Sequence, residues 1–206
     1  MLQASLASEQ QAVPRLTSTI LDVVSRVPVS REPVATDPGQ RSAEIARGVK
    51  RKSAAISAAA ALPTGPLGWF TLLPEALAIW RLQAQMVADI AAAHGRGHAL
   101  TPEVMLHCLF RHSASKAVGG LVVRVGERLL VRRASLRALQ PMARAVAARM
   151  TQRTVARGLA RWVPGVGSVA IGTYAWMDAG KVARTATEVF SRPVDVEPVP
   201  PGGTAL

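Results

Sequence analysis

Ser53-Ala54-Ala55-Ile56-Ser57-Ala58-Ala59-Ala60-Ala61-Leu62-Pro63-Thr64-Gly65-Pro66-Leu67-Gly68-Trp69 decides the reading of the fold. Its first half is alanine-rich, the composition of a closely packed helix. Its second half cannot continue that helix, because Pro63 and Pro66 lack amide donors and Gly65 is helix-weakening. From Ser53 to Pro74, 22 residues pass without a charge. That meets the length rule for a membrane span, but a straight span through Pro63-Thr64-Gly65-Pro66 would leave backbone groups unsatisfied in lipid. The stretch therefore reads as a helical hairpin, either dipping into a membrane or packed in a core.

A second break resembles the first. Trp162-Val163-Pro164-Gly165-Val166-Gly167 opens 16 uncharged residues ending at Met177. Each break follows a basic helix and precedes small residues and an indole, Trp69 or Trp176. Each then reaches an acid and bases: Glu75 and Arg81, or Asp178, Lys181 and Arg184. This points to a pseudo-repeat of hairpins whose membrane-facing residues are Pro63, Gly65, Trp69, Pro164, Gly167 and Trp176. Arg81 and Arg184 each lie six residues past their acid, a poor spacing within one helix. The expected structural ion pairs therefore cross, Asp178 with Arg81 and Glu75 with Arg184 or Lys181.

Working outward, helices are expected over Leu16–Val27, Ala43–Leu62 with Ser42 as cap, and Phe70–His94. Thr101-Pro102-Glu103 starts another over Pro102–Ala117. Leu121–Leu139, Pro141–Trp162 and a last helix to about Phe190 complete the set. The expected class is all-α, a helical bundle around two Pro/Gly-broken hairpins, with no sheet. Residues 1–41 read as an amphipathic helix and a Pro-rich linker. Residues 42–191 form the helical domain, and 192–206 a disordered tail marked by Pro193, Pro198, Pro200 and Pro201.

The 206 residues are 49% hydrophobic and only 4% aromatic, which excludes a disordered chain and disfavours a β-sandwich. Cys108 is the sole cysteine, so neither an internal disulfide nor a Cys-based zinc module is possible. The first charge is Glu9 and the first basic residue Arg15, unlike an export signal.

The charge, +12 overall, is concentrated. Arg111 to Arg161 carries twelve basic residues against a single acid, Glu127, a net +11. Within it, Arg124, Arg128 and Arg132 are four apart, as are Arg149, Arg153, Arg157 and Arg161. On a helix, that spacing makes one broad basic face for each set. Such faces suit anionic headgroups, at about 1 kcal/mol per basic residue, or nucleic acid phosphates. Aromatic platforms for single-stranded bases are sparse there, with Trp162 alone between Phe110 and Tyr174.

Enzymatic motifs are poor. Gly165-Val166-Gly167 follows a helix and has no third glycine, and Gly180-Lys181 lacks the rest of a phosphate loop. No cofactor is implied. His94, His98, His107, Cys108 and His112 could hold zinc or copper only if both clusters converged, so no metal site is expected. Glu75 and Asp178 could do acid–base work, but partnership with basic residues is the simpler account.

The ordered motifs resemble the EcsC family. They are Leu62–Gly68, Pro74-Glu75, Trp80-Arg81-Leu82-Gln83, Val87-Ala88-Asp89-Ile90-Ala91 and Gly95, then Arg161–Gly167, Gly172-Thr173-Tyr174-Ala175, Asp178 and Val182–Ala186. The likeness covers about residues 43–191; His94-Gly95 departs from the Tyr-Gly expected there. The resemblance implies an all-helical bacterial protein without assigned catalytic residues. The founding member is encoded beside an ABC transporter, which implies a membrane context.

The expectation is a non-enzymatic protein at the cytoplasmic membrane face, binding anionic lipid or a membrane partner through its arginine faces. The rivals are a soluble nucleic-acid-binding bundle and an enzyme using Glu75 and Asp178.

Overall fold

The computed structural model describes residues 2–60, 68–158 and 166–197. The chain is predominantly helical: α1 (Leu2–Ser25), α2 (Pro38–Ala60), α3 (Gly68–Ala93), α4 (Pro102–Val118), α5 (Leu136–Gly158) and α6 (Val166–Phe190). Thr101 caps α4 as expected, its side chain accepting from the Val104 amide, with Pro102 at the first helical position. The start of α2 differs from expectation. Asp37 accepts the Gln40 amide at 2.9 Å, so the helix begins at Pro38 and not after Ser42. Ser42 lies inside α2, where its hydroxyl donates to the Pro38 carbonyl at 2.7 Å. Asp-Pro is itself a cap followed by a first-turn proline, a stronger start than Ser42 with Glu44.

The segment 121–139 corrects the expectation of a helix. It forms two strands, β1 (Val122–Val125) and β2 (Arg128–Val131), before α5 begins. The strands pair antiparallel, Val122 opposite Val131 and Val125 opposite Arg128. Gly126-Glu127 is the two-residue turn, with Gly126 at φ 62°. Positive φ at the first turn position matches the twist of a hairpin and favours glycine. The β-branched run Val122, Val123 and Val125 outweighs the fourfold arginine spacing.

Val194–Val196 forms a third strand, β3, parallel to β2 with Leu129 opposite Val194. The class "no sheet" and the disordered tail starting at 192 are both corrected by this strand. Apolar Val194 and Val196 lean on the core, which the surrounding prolines obscured.

The core runs through α3, α4 and α6, where Met86, Ile90, Met105, Leu109, Phe110 and Phe190 are almost fully buried. Trp80 meets Phe110 edge-on, with centroids 5.4 Å apart. α1 is part of this core, since Ile20, Val23 and Val24 are buried in it. The linker after α1 is pinned down: the Ser30 hydroxyl donates to Asp89 at 2.7 Å and the Ala35 amide to the Ala93 carbonyl at 2.9 Å.

α2 and α6 make the most extensive helix pairing among the described residues. A Cβ on Gly172 would lie 3.2 Å from the Ala54 carbonyl oxygen and 3.5 Å from the Ala58 methyl. Small residues on both helices allow this approach.

Candidate functional site

The α2–α6 pair runs antiparallel. Gly172 faces Ala54 and Ala58, while Trp176 and Gly180 both face Lys50. The Lys50 ammonium sits 3.6 Å from the centroid of the Trp176 ring. A cation over an indole face is attracted by the ring quadrupole. Trp176 nevertheless stays 44% exposed, and on the same turn Tyr174 and Met177 are 39% and 49% exposed. Arg47, Arg51 and Lys52 of α2 and Lys181 and Arg184 of α6 are exposed on the same two helices.

The arginine faces are redistributed by the hairpin. Arg124 and Arg128 stand on opposite strands of it, and Arg132 follows β2, all exposed. Arg124 donates to the Gly126 carbonyl and Arg128 pairs with Asp195 at 3.2 Å. They form no helical ladder, which corrects the first set of four-residue spacings. The second set does lie on a helix in part: Arg149 is exposed on α5, and positions 153 and 157 belong to its last turns. Arg161 lies outside the described residues.

Of the hairpin residues, Pro63, Gly65 and Pro164 also lie outside the described residues. Trp69 and Gly167 are in the first turns of α3 and α6. Among the described residues no helix is long and apolar enough to cross a membrane.

The crossed pair of Asp178 with Arg81 does not form. Asp178 accepts from Gln83 Nε2 at 3.0 Å and contacts His112 Nε2 at 2.6 Å. Arg81, 60% exposed, points instead toward Asp22 of α1 at 4.0 Å. Arg184 is exposed, with no ion-pair partner among the described residues. Glu75 belongs to α3. The physical reason is geometric: helix α4 inserts His112 where the repeat argument placed an arginine. A neutral amide and an imidazole are also cheaper to bury than a guanidinium.

This Asp178–His112–Gln83 cluster leaves His112 Nδ1 and Gln83 Oε1 buried without a hydrogen-bond partner among the described residues. The carboxylate can fix the imidazole with its proton on Nε2, leaving Nδ1 as an acceptor. Cys108, one turn earlier on α4, is not a ready nucleophile: burial pushes its thiol up to about 12.

The other histidines do not converge. His94 lies 3.2 Å from the Ser42 hydroxyl, and His107 Nδ1 is 3.1 Å from the Val118 carbonyl. Burial lowers the pKa of both, most plainly for His107 inside α4. No group of three potential ligands could hold a metal among the described residues.

No protein-family model, curated protein or solved structure matches the chain.

The sequence offered His112 only as a possible metal ligand, and it gave no site role to Gln83, Lys50, Tyr174 or Met177. Only a pairing of α2 with α6 could have flagged Lys50, and nothing local marks His112 as the partner of Asp178.

Proposed function

We propose that this protein is a non-enzymatic helical protein that works at the cytoplasmic face of a membrane and binds its anionic surface. Membership of the EcsC family is part of the same proposal, resting on the two ordered motif sets. The observation that carries the reading is an unneutralised basic surface. Arg47, Arg51, Lys52, Lys181 and Arg184 on the α2–α6 pair are exposed, as are Arg137, Arg144 and Arg149 on α5. None has an ion-pair partner among the described residues, whereas Asp22, Glu32, Glu44, Asp178, Glu188 and Asp195 are each engaged by a cation or histidine. Surplus exposed cations favour anionic partners, and near a charged leaflet each is worth about 1 kcal/mol.

Flotation with vesicles tests the reading. The protein is expected to float with phosphatidylglycerol-containing vesicles and not with neutral ones, and less so as salt rises. Changing Arg149, Arg153, Arg157 and Arg161 together to Gln is expected to weaken that flotation. Equal flotation with neutral and anionic vesicles, or none with either, defeats the proposal.

A further inference from the structure

The α2–α6 pair changes character along its length. One end is formed by Ala54–Ala60 of α2 and 166–172 of α6, with Gly172 seated on Ala54 and Ala58. The described residues of this end carry no charge, from Ser53 to Ala60 in α2 and from Val166 to Met177 in α6. Next along the pair stand the exposed Tyr174, Trp176 and Met177. Beside and beyond them come Lys50, Arg51, Lys52 and Arg47 of α2 and Lys181 and Arg184 of α6. The order apolar, aromatic, basic is that of a polypeptide entering a membrane interface, where indole and phenol rings settle at headgroup level.

We propose that this end of the α2–α6 pair seats end-on in the headgroup layer of an anionic bilayer. Trp176, Tyr174 and Met177 reach the acyl boundary, and Lys50, Arg51, Lys52 and Lys181 meet lipid phosphates. The proposal rests on the membrane reading above and adds the element, its direction and its depth. Lys50 ties two levels together, because its ammonium lies 3.6 Å from the Trp176 centroid. That contact keeps the charge and the indole together at the boundary between headgroups and acyl chains, with the apolar stem of Lys50 alongside.

At 1.5 Å per residue the uncharged end of α2, Ser53–Ala60, is about 12 Å long and that of α6, Val166–Met177, about 18 Å. Both fall short of the roughly 30 Å hydrocarbon core, so the pair enters one leaflet only. Single-stranded nucleic acid fits this surface less well. Base stacking needs open ring faces, but Lys50 covers one face of Trp176 and Met177 offers none, which leaves Tyr174 as the one other exposed ring among these three residues.

A fluorophore on an introduced cysteine reads the seat directly. Native Cys108 is fully buried, so an environment-sensitive label attaches at Met177→Cys or, as reference, at Ser191→Cys. These positions are about 21 Å apart along the axis of α6. With vesicles of phosphatidylglycerol and phosphatidylcholine, the label at 177 is expected to brighten several-fold and shift to the blue. The label at 191 is expected to stay unchanged. Lys50→Gln with Lys52→Gln, helical by circular dichroism, is expected to reduce the response at 177. Flotation that persists while both labels respond alike, or only 191 responds, overturns the end-on seat and leaves the membrane reading standing. Loss of flotation itself overturns both. A larger response at 177 to a single-stranded oligonucleotide than to vesicles overturns the lipid assignment in favour of nucleic acid.

Discussion

Two stretches of this chain are basic and similarly spaced, yet one is a helix and the other a hairpin. In α2, Arg47, Lys50, Arg51 and Lys52 run into Ser53, Ala54 and Ala55. In β1 and β2, Arg124 and Arg128 are interleaved with Val122, Val123, Val125 and Val131. The charges are comparable, so the residues between them decide. Alanine loses no side-chain freedom in a helix, whereas valine is stiff at χ1 and fits a pleated surface. Arginine spacing reports a helical face only after the intervening residues have established a helix.

Glycine shows the same division, and substituting it tests the comparison most sharply. Gly172 is needed for close approach, since a side chain there meets the Ala54 carbonyl oxygen and the Ala58 methyl. Gly172→Leu is expected to cost about 1–3 kcal/mol, through overpacking of the α2–α6 contact. Urea unfolding measures it; a loss below a few tenths would mean that the pair separates without cost.

In the hairpin the requirement is conformational. Gly126 has open space around it but φ 62°. Gly126→Val is expected to destabilise by about 1–2 kcal/mol, the penalty of the left-handed region for an L-residue. A neutral result in thermal unfolding would argue that the turn resets without its glycine.

Gly48, exposed within α2, has neither constraint, since a methyl group on its Cα would meet nothing within 4 Å. Gly48→Ala is therefore expected to stabilise by about 0.5–1 kcal/mol, visible as a raised Tm. Destabilisation there would point to a contact that α2 makes in solution.

The helices were largely legible because their signals are local. Thr101-Pro102-Glu103 marks the start of α4 within three residues, as Asp37-Pro38 marks the start of α2. The hairpin was legible too, through Gly126 and the surrounding valines, but a competing period of four masked it. β3 was not legible. Val194-Asp195-Val196 is a strand only because β2 offers it an edge, and that edge belongs to Leu129, Leu130 and Val131, far upstream in the chain. The candidate site was half legible. Trp176 stood out beside its break, but Lys50 joins it only through the α2–α6 packing. His112 displaced Arg81 from Asp178 because α4 crosses at that point, which no spacing within α3 or α6 records.

The parallel pairing of β3 with β2 has a consequence for synthesis. Both strands of the hairpin leave the ribosome together, so β1 and β2 can pair at once. The opposite edge of β2 then waits, its Leu129 amide and Val131 carbonyl unmatched, while α5 and α6 are made. Only when Pro193 and Glu197 emerge are those groups satisfied. Until then the nascent chain carries an open sheet edge, the kind of surface that recruits strands from other chains. The flanking Arg128 and Arg132 keep that edge charged, so neighbouring copies repel during the interval.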